Sequence, residues 1–132
     1  MTPFLTLIGR ALAAFIFLMS GVSKIQNFSG TAQFMASKGM PAAEFLLVLA
    51  ILIEVLGGLA IIIGYQTKWA AWALFLFMIP ATLIFHTNFS DPNQMIHFLK
   101  NISMMGGLLY IAASGAGPLS LDAKRQGLKK PV

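Results

Sequence analysis

Two side chains in this sequence carry charge where a chain can least hold it. Glu54 lies inside the apolar stretch 42–63, and Arg10 lies inside the apolar stretch 4–19. An ionisable group in such a stretch must pair, give up its charge, or serve a function. Paired with each other, Arg10 and Glu54 would staple two helices together. Freed of its partner, Glu54 would be a desolvated carboxyl able to take up a proton. A second set follows near the C-terminus. His97, Lys100 and Asn101 stand at i, i+3 and i+4, so on a helix they share one face. Lys24 falls about 40° from Arg10 if the first helix runs that far. Lysine, asparagine and histidine all offer hydrogen-bond donors, and donors turned toward one cavity can hold an oxygen-rich ligand. The alternative for His97 and Lys100 is to snorkel outward into solvent.

The elements that carry these residues are membrane helices. The chain has 132 residues, of which 58% are hydrophobic and only 10% charged. A soluble domain usually carries about 25% charged residues. The expected architecture is all-α: one integral membrane four-helix bundle over 1–123, with helices at about 4–23, 42–63, 68–86 and 94–114. The fourth is the weakest, since spanning length requires it to take in His97, Lys100 and Asn101; a re-entrant segment is its alternative. Segment 31–38, ended by Gly39, fits a short amphipathic helix lying in the interface. The first stretch lacks a basic leader and reads as an uncleaved helix.

The basic residues set the expected orientation. Lys68, Lys124, Arg125, Lys129 and Lys130 fall on one side, and Lys24, Lys38 and Lys100 on the other. The five-residue side is expected to be cytoplasmic, with both termini on it and 124–132 forming a basic tail. The net charge of +5 therefore points to a membrane surface and not to nucleic acid. Depth then favours the Arg10–Glu54 pair. Counted from the same end of their helices, the two lie roughly 10 and 14 Å inside. Gly57 and Gly58 share the face of Glu54 and allow another helix to come close.

Some chemistry is excluded. With no cysteine there is no disulfide, thiol nucleophile or thiolate metal site. His86 and His97 alone make a poor metal site, and none is expected. No nucleotide-binding loop, serine-hydrolase elbow or zinc-protease motif is present.

The sequence resembles the DoxX family of small bacterial membrane proteins. The resemblance rests on Arg10 with Phe15-Ile16-Phe17, on Ser20-Gly21-Val22-Ser23-Lys24, and on Ile53-Glu54-Val55 with Gly57-Gly58 and Gly64. Lys100-Asn101 and the run from Gly115 to Asp122 complete it. It implies the bacterial inner (cytoplasmic) membrane and a link to quinone chemistry or membrane redox complexes. More distant relatives look like cargo receptors or chaperones. On that reading the chain is a redox-associated subunit, accessory to a membrane oxidoreductase, that binds a quinone or small polar ligand. The ligand-binding residues would be Lys24, Glu54, His97, Lys100 and Asn101, with Phe17, Met104 and Met105 as apolar walls. The alternative is a non-catalytic scaffold, chaperone or small-solute permeation protein. The expected partners are the lipid bilayer and an oxidoreductase subunit, with a second copy of the chain left open.

Overall fold

A computed structural model describes residues 2–129. Six helices follow in order: α1 Thr2–Gln26, α2 Phe28–Ser37, α3 Ala43–Ile63, α4 Thr67–Phe85, α5 Pro92–Ser114 and α6 Leu121–Lys129. No strand occurs among the described residues. Four of the helices, α1, α3, α4 and α5, are long and apolar enough to cross a membrane. The shortest, α4, has 19 residues. That is roughly 29 Å of helix, close to the bilayer's hydrocarbon thickness. The fourth span is one continuous helix and not a re-entrant loop. Asp91 caps its start by accepting from the Asn93 amide at 2.9 Å, and Pro92 opens its first turn.

The chain breaks where its residues demand it. Gly64 closes α3 in the left-handed region, at φ 75°. The Tyr65 amide bonds the Ala60 carbonyl (2.8 Å) and the Gly64 amide bonds that of Ile61 (3.2 Å), which satisfies carbonyls left open at the helix end. Only Gly64 to Gln66 then separate α3 from α4, which run antiparallel. The amphipathic segment after α1 forms α2. It buries Ala32 and Met35 against α3, and its Phe34 stacks on Phe85 at 5.6 Å.

Helix α1 packs along α3, α3 on α4, and α4 on α5, while α1 and α5 meet only lightly. Glycine allows close approaches on both sides of α3. A Cβ on Gly57 would press on Leu74 of α4 at 3.0 Å, and one on Gly58 would lie 3.1 Å from the Leu18 amide of α1. The main core joins Ala14, Phe17, Ile61, Leu74, Met78 and Leu108. The remaining surfaces are apolar, with Leu12, Leu56 and Tyr110 among the exposed side chains. Such a surface contacts lipid in the bilayer.

The two ends of the bundle differ. At one, the start of α1 lies beside the segment leaving α5, since a Cβ on Gly117 would sit 2.8 Å from Thr6 Oγ1. This is the terminal end. The other, closed by α2 and the α4–α5 connection, is the loop end. The basic tail expected over 124–132 is helical up to Lys129, as part of α6; residues 130–132, including Lys130, lie outside the described ones.

Candidate functional site

The expected Arg10–Glu54 pair does not form. Glu54 is paired with Lys24 instead, Nζ lying 2.9 Å from Oε1 and 3.1 Å from Oε2. The reason is helix stagger. Depths counted from each helix's own end assume that the ends are flush. In the bundle Gly21 is level with Glu54, since a Cβ there would lie 3.3 Å from Glu54 Cβ, and Arg10 reaches the Ile62 carbonyl. Arg10 therefore lies at the level of the C-terminus of α3. Glu54 is eight residues, roughly 12 Å, further along.

Arg10 is an architectural residue in this arrangement. It is only 4% exposed. Its guanidinium donates to the carbonyls of Ala116, Leu119 (2.9 Å) and Ile62 (3.1 Å). These are helix-end and loop carbonyls that nothing else in a membrane would satisfy. Asp122 completes the device. Its carboxylate accepts from the Gln66 amide (2.8 Å) and the Thr67 amide (2.9 Å), capping the start of α4 from another helix. Its own amide donates to the Gly64 carbonyl at 2.8 Å. Burial pushes the Asp122 carboxyl up, but the Thr67 and Gln66 amides and the nearby Arg125 charge together hold it below the usual carboxylate range.

The loop end is built differently. A half-open cavity of about 1050 Å³ lies there, lined by residues of all of the first five helices. Lys24, Glu54, His97, Lys100 and Asn101 all line it. So do Ser20 and Thr31, which sequence reasoning did not single out. Helix periodicity offered a signal for Ser20, which lies one turn before Lys24. Ser20 accepts a hydrogen bond from Lys24 Nζ at 2.8 Å. Thr31 and Met35 arrive with α2, and only the fold shows that α2 roofs the cavity. Of the expected walls, Phe17 and Met104 line the cavity, whereas Met105 packs against the core.

The polar groups are unequally committed. Glu54 is 2% exposed and satisfied by Lys24. Asn101 Nδ2 donates to Thr82 Oγ1 at 3.0 Å, which ties α5 to α4. His86 Nδ1 donates to Gln94 Oε1 at 2.9 Å, and its ring lies 5.1 Å from that of His97. Lys100 has no ion-pair partner among the described residues. Pro80 on the same wall has no amide hydrogen, so the Leu76 carbonyl loses its helical partner. The cavity thus combines an ion pair at its floor, an uncommitted ammonium, a histidine pair and apolar walls from Phe17, Phe34 and Phe77. Among the described residues no cluster of three or more histidine, aspartate or glutamate side chains could hold a metal.

Below the cavity the bundle is filled. Ala14, Leu74, Leu108 and their neighbours occupy the terminal half. The arrangement is a pocket with a closed floor.

Known proteins share this sequence over most of its length. An inner membrane protein of Escherichia coli (strain K12), YqjF, is 37% identical over 116 residues, covering 88% of each chain. A second from the same organism, YphA, is 36% identical over 129 residues, covering 92% of this chain and 91% of its own. CatD of Bacillus subtilis (strain 168), whose name proposes an oxidoreductase, is 33% identical over 119 residues, covering 89% of this chain and 84% of its own. No solved structure matches. The DoxX family model matches residues 5–87, which include Arg10, Lys24 and Glu54 and end before α5. With the four spanning helices and these relatives, the chain belongs to the DoxX family.

Proposed function

We propose that the loop-end cavity binds a small, oxygen-bearing ligand of quinone-like character, and that the protein serves a membrane oxidoreductase as an accessory, redox-associated subunit. The observation that carries this is the pairing of a cavity of about 1050 Å³ with donors inside a membrane bundle. Ligand cavities are typically about 300–1,000 Å³, mostly apolar, with a few placed polar groups. Lys100 and Asn101 would donate to ligand oxygens, with His97 flanking them. The Lys24–Glu54 pair forms a polar floor whose carboxylate can exchange a proton with bound ligand when Lys24 withdraws. Phe17, Phe77 and Met104 would face the ring. The relative whose name proposes an oxidoreductase supports the redox setting. Electrons would come from the partner enzyme. The filled terminal half weighs against the permeation alternative.

The test is equilibrium binding of a short-chain ubiquinone analogue to purified protein in lipid nanodiscs, with mass spectrometry of an organic extract of the protein. Saturable binding at one site per chain is expected. Uptake no greater than that of empty nanodiscs would remove the reading. The proposed orientation, with the terminal end cytoplasmic, has its own test. Alkaline phosphatase fused after Leu121 should be inactive, and strong activity there would reverse the topology.

A further inference from the structure

A second cavity, of about 290 Å³, lies at the terminal end between the start of α4, the end of α5 and α6. Lys68, Trp69, Gly115, Asp122, Arg125 and Gln126 line it. Its height is informative. The first turn of α4 and the residue after α5 sit where spanning helices leave the hydrocarbon, at the level of lipid headgroups. Trp69 is 75% exposed. It stands there beside Lys68, as an interfacial indole does.

The charges in this cavity are held but not spent. Both Asp122 oxygens are committed to the Gln66 and Thr67 amides. Neither Lys68 nor Arg125 has an ion-pair partner among the described residues. Packing fixes both. The Arg125 guanidinium lies over the Tyr65 ring at 5.3 Å, within the range of a cation–π attraction. The Lys68 stem runs along Gly115, where a Cβ would come within 3.3 Å of Lys68 Cε. The pocket therefore presents two cations against one carboxylate, which lies near Arg125 and already accepts from two amides.

We propose that this cavity binds the phosphate of an anionic phospholipid, with Lys68 and Arg125 on the phosphate oxygens and Trp69 against the glycerol and upper acyl chain. The chemistry it recognises is a phosphate anion, which a lipid or free phosphate could supply. Headgroup height and the exposed indole favour the lipid. The proposal is independent of the loop-end ligand.

The experiment reconstitutes the full chain in phosphatidylcholine vesicles with and without phosphatidylglycerol. It reads lipid retention by native mass spectrometry and the thermal midpoint. The wild type should retain one phosphatidylglycerol and gain stability from it. Lys68→Gln and Arg125→Gln should each weaken retention by about fivefold, the effect of one basic residue near an anionic surface. Both should keep the wild-type midpoint in pure phosphatidylcholine, which shows that they fold. Lys124→Gln, also on α6 but outside the cavity lining, should retain lipid as the wild type does. Equal losses in all three variants would reduce the effect to diffuse surface charge and overturn the site. Inorganic phosphate stabilising the wild type as well as the lipid does, through the same two residues, would overturn its assignment to a lipid.

Discussion

The two ends of this bundle use the same kinds of side chain for opposite purposes. At the terminal end, Arg10 meets three carbonyls and Asp122 meets two amides, so each charge completes a helix end. At the loop end, Lys24 and Glu54 meet each other, and Lys100 meets a cavity. At the terminal end, Arg10 and Asp122 are committed to backbone. The loop end keeps donors facing open space. A buried charge in a membrane protein is therefore informative only with its partner named: backbone partners mark architecture, and a cavity marks available chemistry.

Breaking the loop-end pair on one side should have the largest effect. Lys24→Met leaves Glu54 buried and unpaired, at about 3–5 kcal/mol of stability. Glu54→Leu alone leaves the partly exposed Lys24 and should cost less. The double variant should return close to wild type, since apolar groups need no partner there. Unfolding in detergent measures all three. A double variant as unstable as Lys24→Met would show that the pair is not a unit.

Arg10→Met comes next. It strands the Ala116, Leu119 and Ile62 carbonyls together, at about 1 kcal/mol each, the low end for groups near the membrane surface. Arg10→Lys should recover only part of this, because one ammonium cannot reproduce the planar fork of a guanidinium. The folded fraction of either variant should bind loop-end ligand as the wild type does. A loss of affinity matching the loss of stability would erase the distinction between the ends.

The sequence made some of this contrast legible and hid the rest for definable reasons. Spans were readable because uninterrupted apolar length has few other meanings in a chain this poor in charge. The shared face of His97, Lys100 and Asn101 was readable from helical spacing, and the structure sets all three on one cavity wall. The partner of Glu54 was misread because depth was counted from helix ends, whereas α1 slides past the end of α3. The partners of Arg10 could not be read at all. Backbone carbonyls are present at every residue, and only the fold shows which three are left unsatisfied. The roof over the cavity was half legible: the amphipathic segment pointed to a surface helix, but not to its seat on Leu47 and Phe85.

Asp122→Asn should cost less, about 1 kcal/mol, since its carboxylate caps α4 but is partly solvated. Here pH adds a second reading. The folded carboxyl is held below its ordinary range. Its contribution is therefore complete above the ordinary carboxylate pKa of about 4, and is lost as pH falls through the folded value. The gap in thermal midpoint between wild type and Asp122→Asn should be constant near neutrality and close in acid. A gap that persists to the acid limit would mean that the carboxylate charge is not what the Gln66 and Thr67 amides recognise.

The smallest change in stability should come with the sharpest change in binding. Lys100 is exposed, lines the cavity and has no ion-pair partner among the described residues. Removing it strands no other group, so Lys100→Ala should alter stability by less than about 0.5 kcal/mol. If its ammonium donates to a ligand oxygen, the same substitution removes a charge-assisted hydrogen bond, worth about tenfold in affinity. Lys100→Arg should keep much of that affinity, since a donor and a positive charge remain. A merely snorkelling lysine predicts something else: unchanged binding in Lys100→Ala alongside unchanged stability. Quinone-analogue titrations of the wild type and both variants in nanodiscs separate the two. An unaltered affinity in Lys100→Ala would give Lys100 no more part in binding than Arg10, and the contrast between the two would fail.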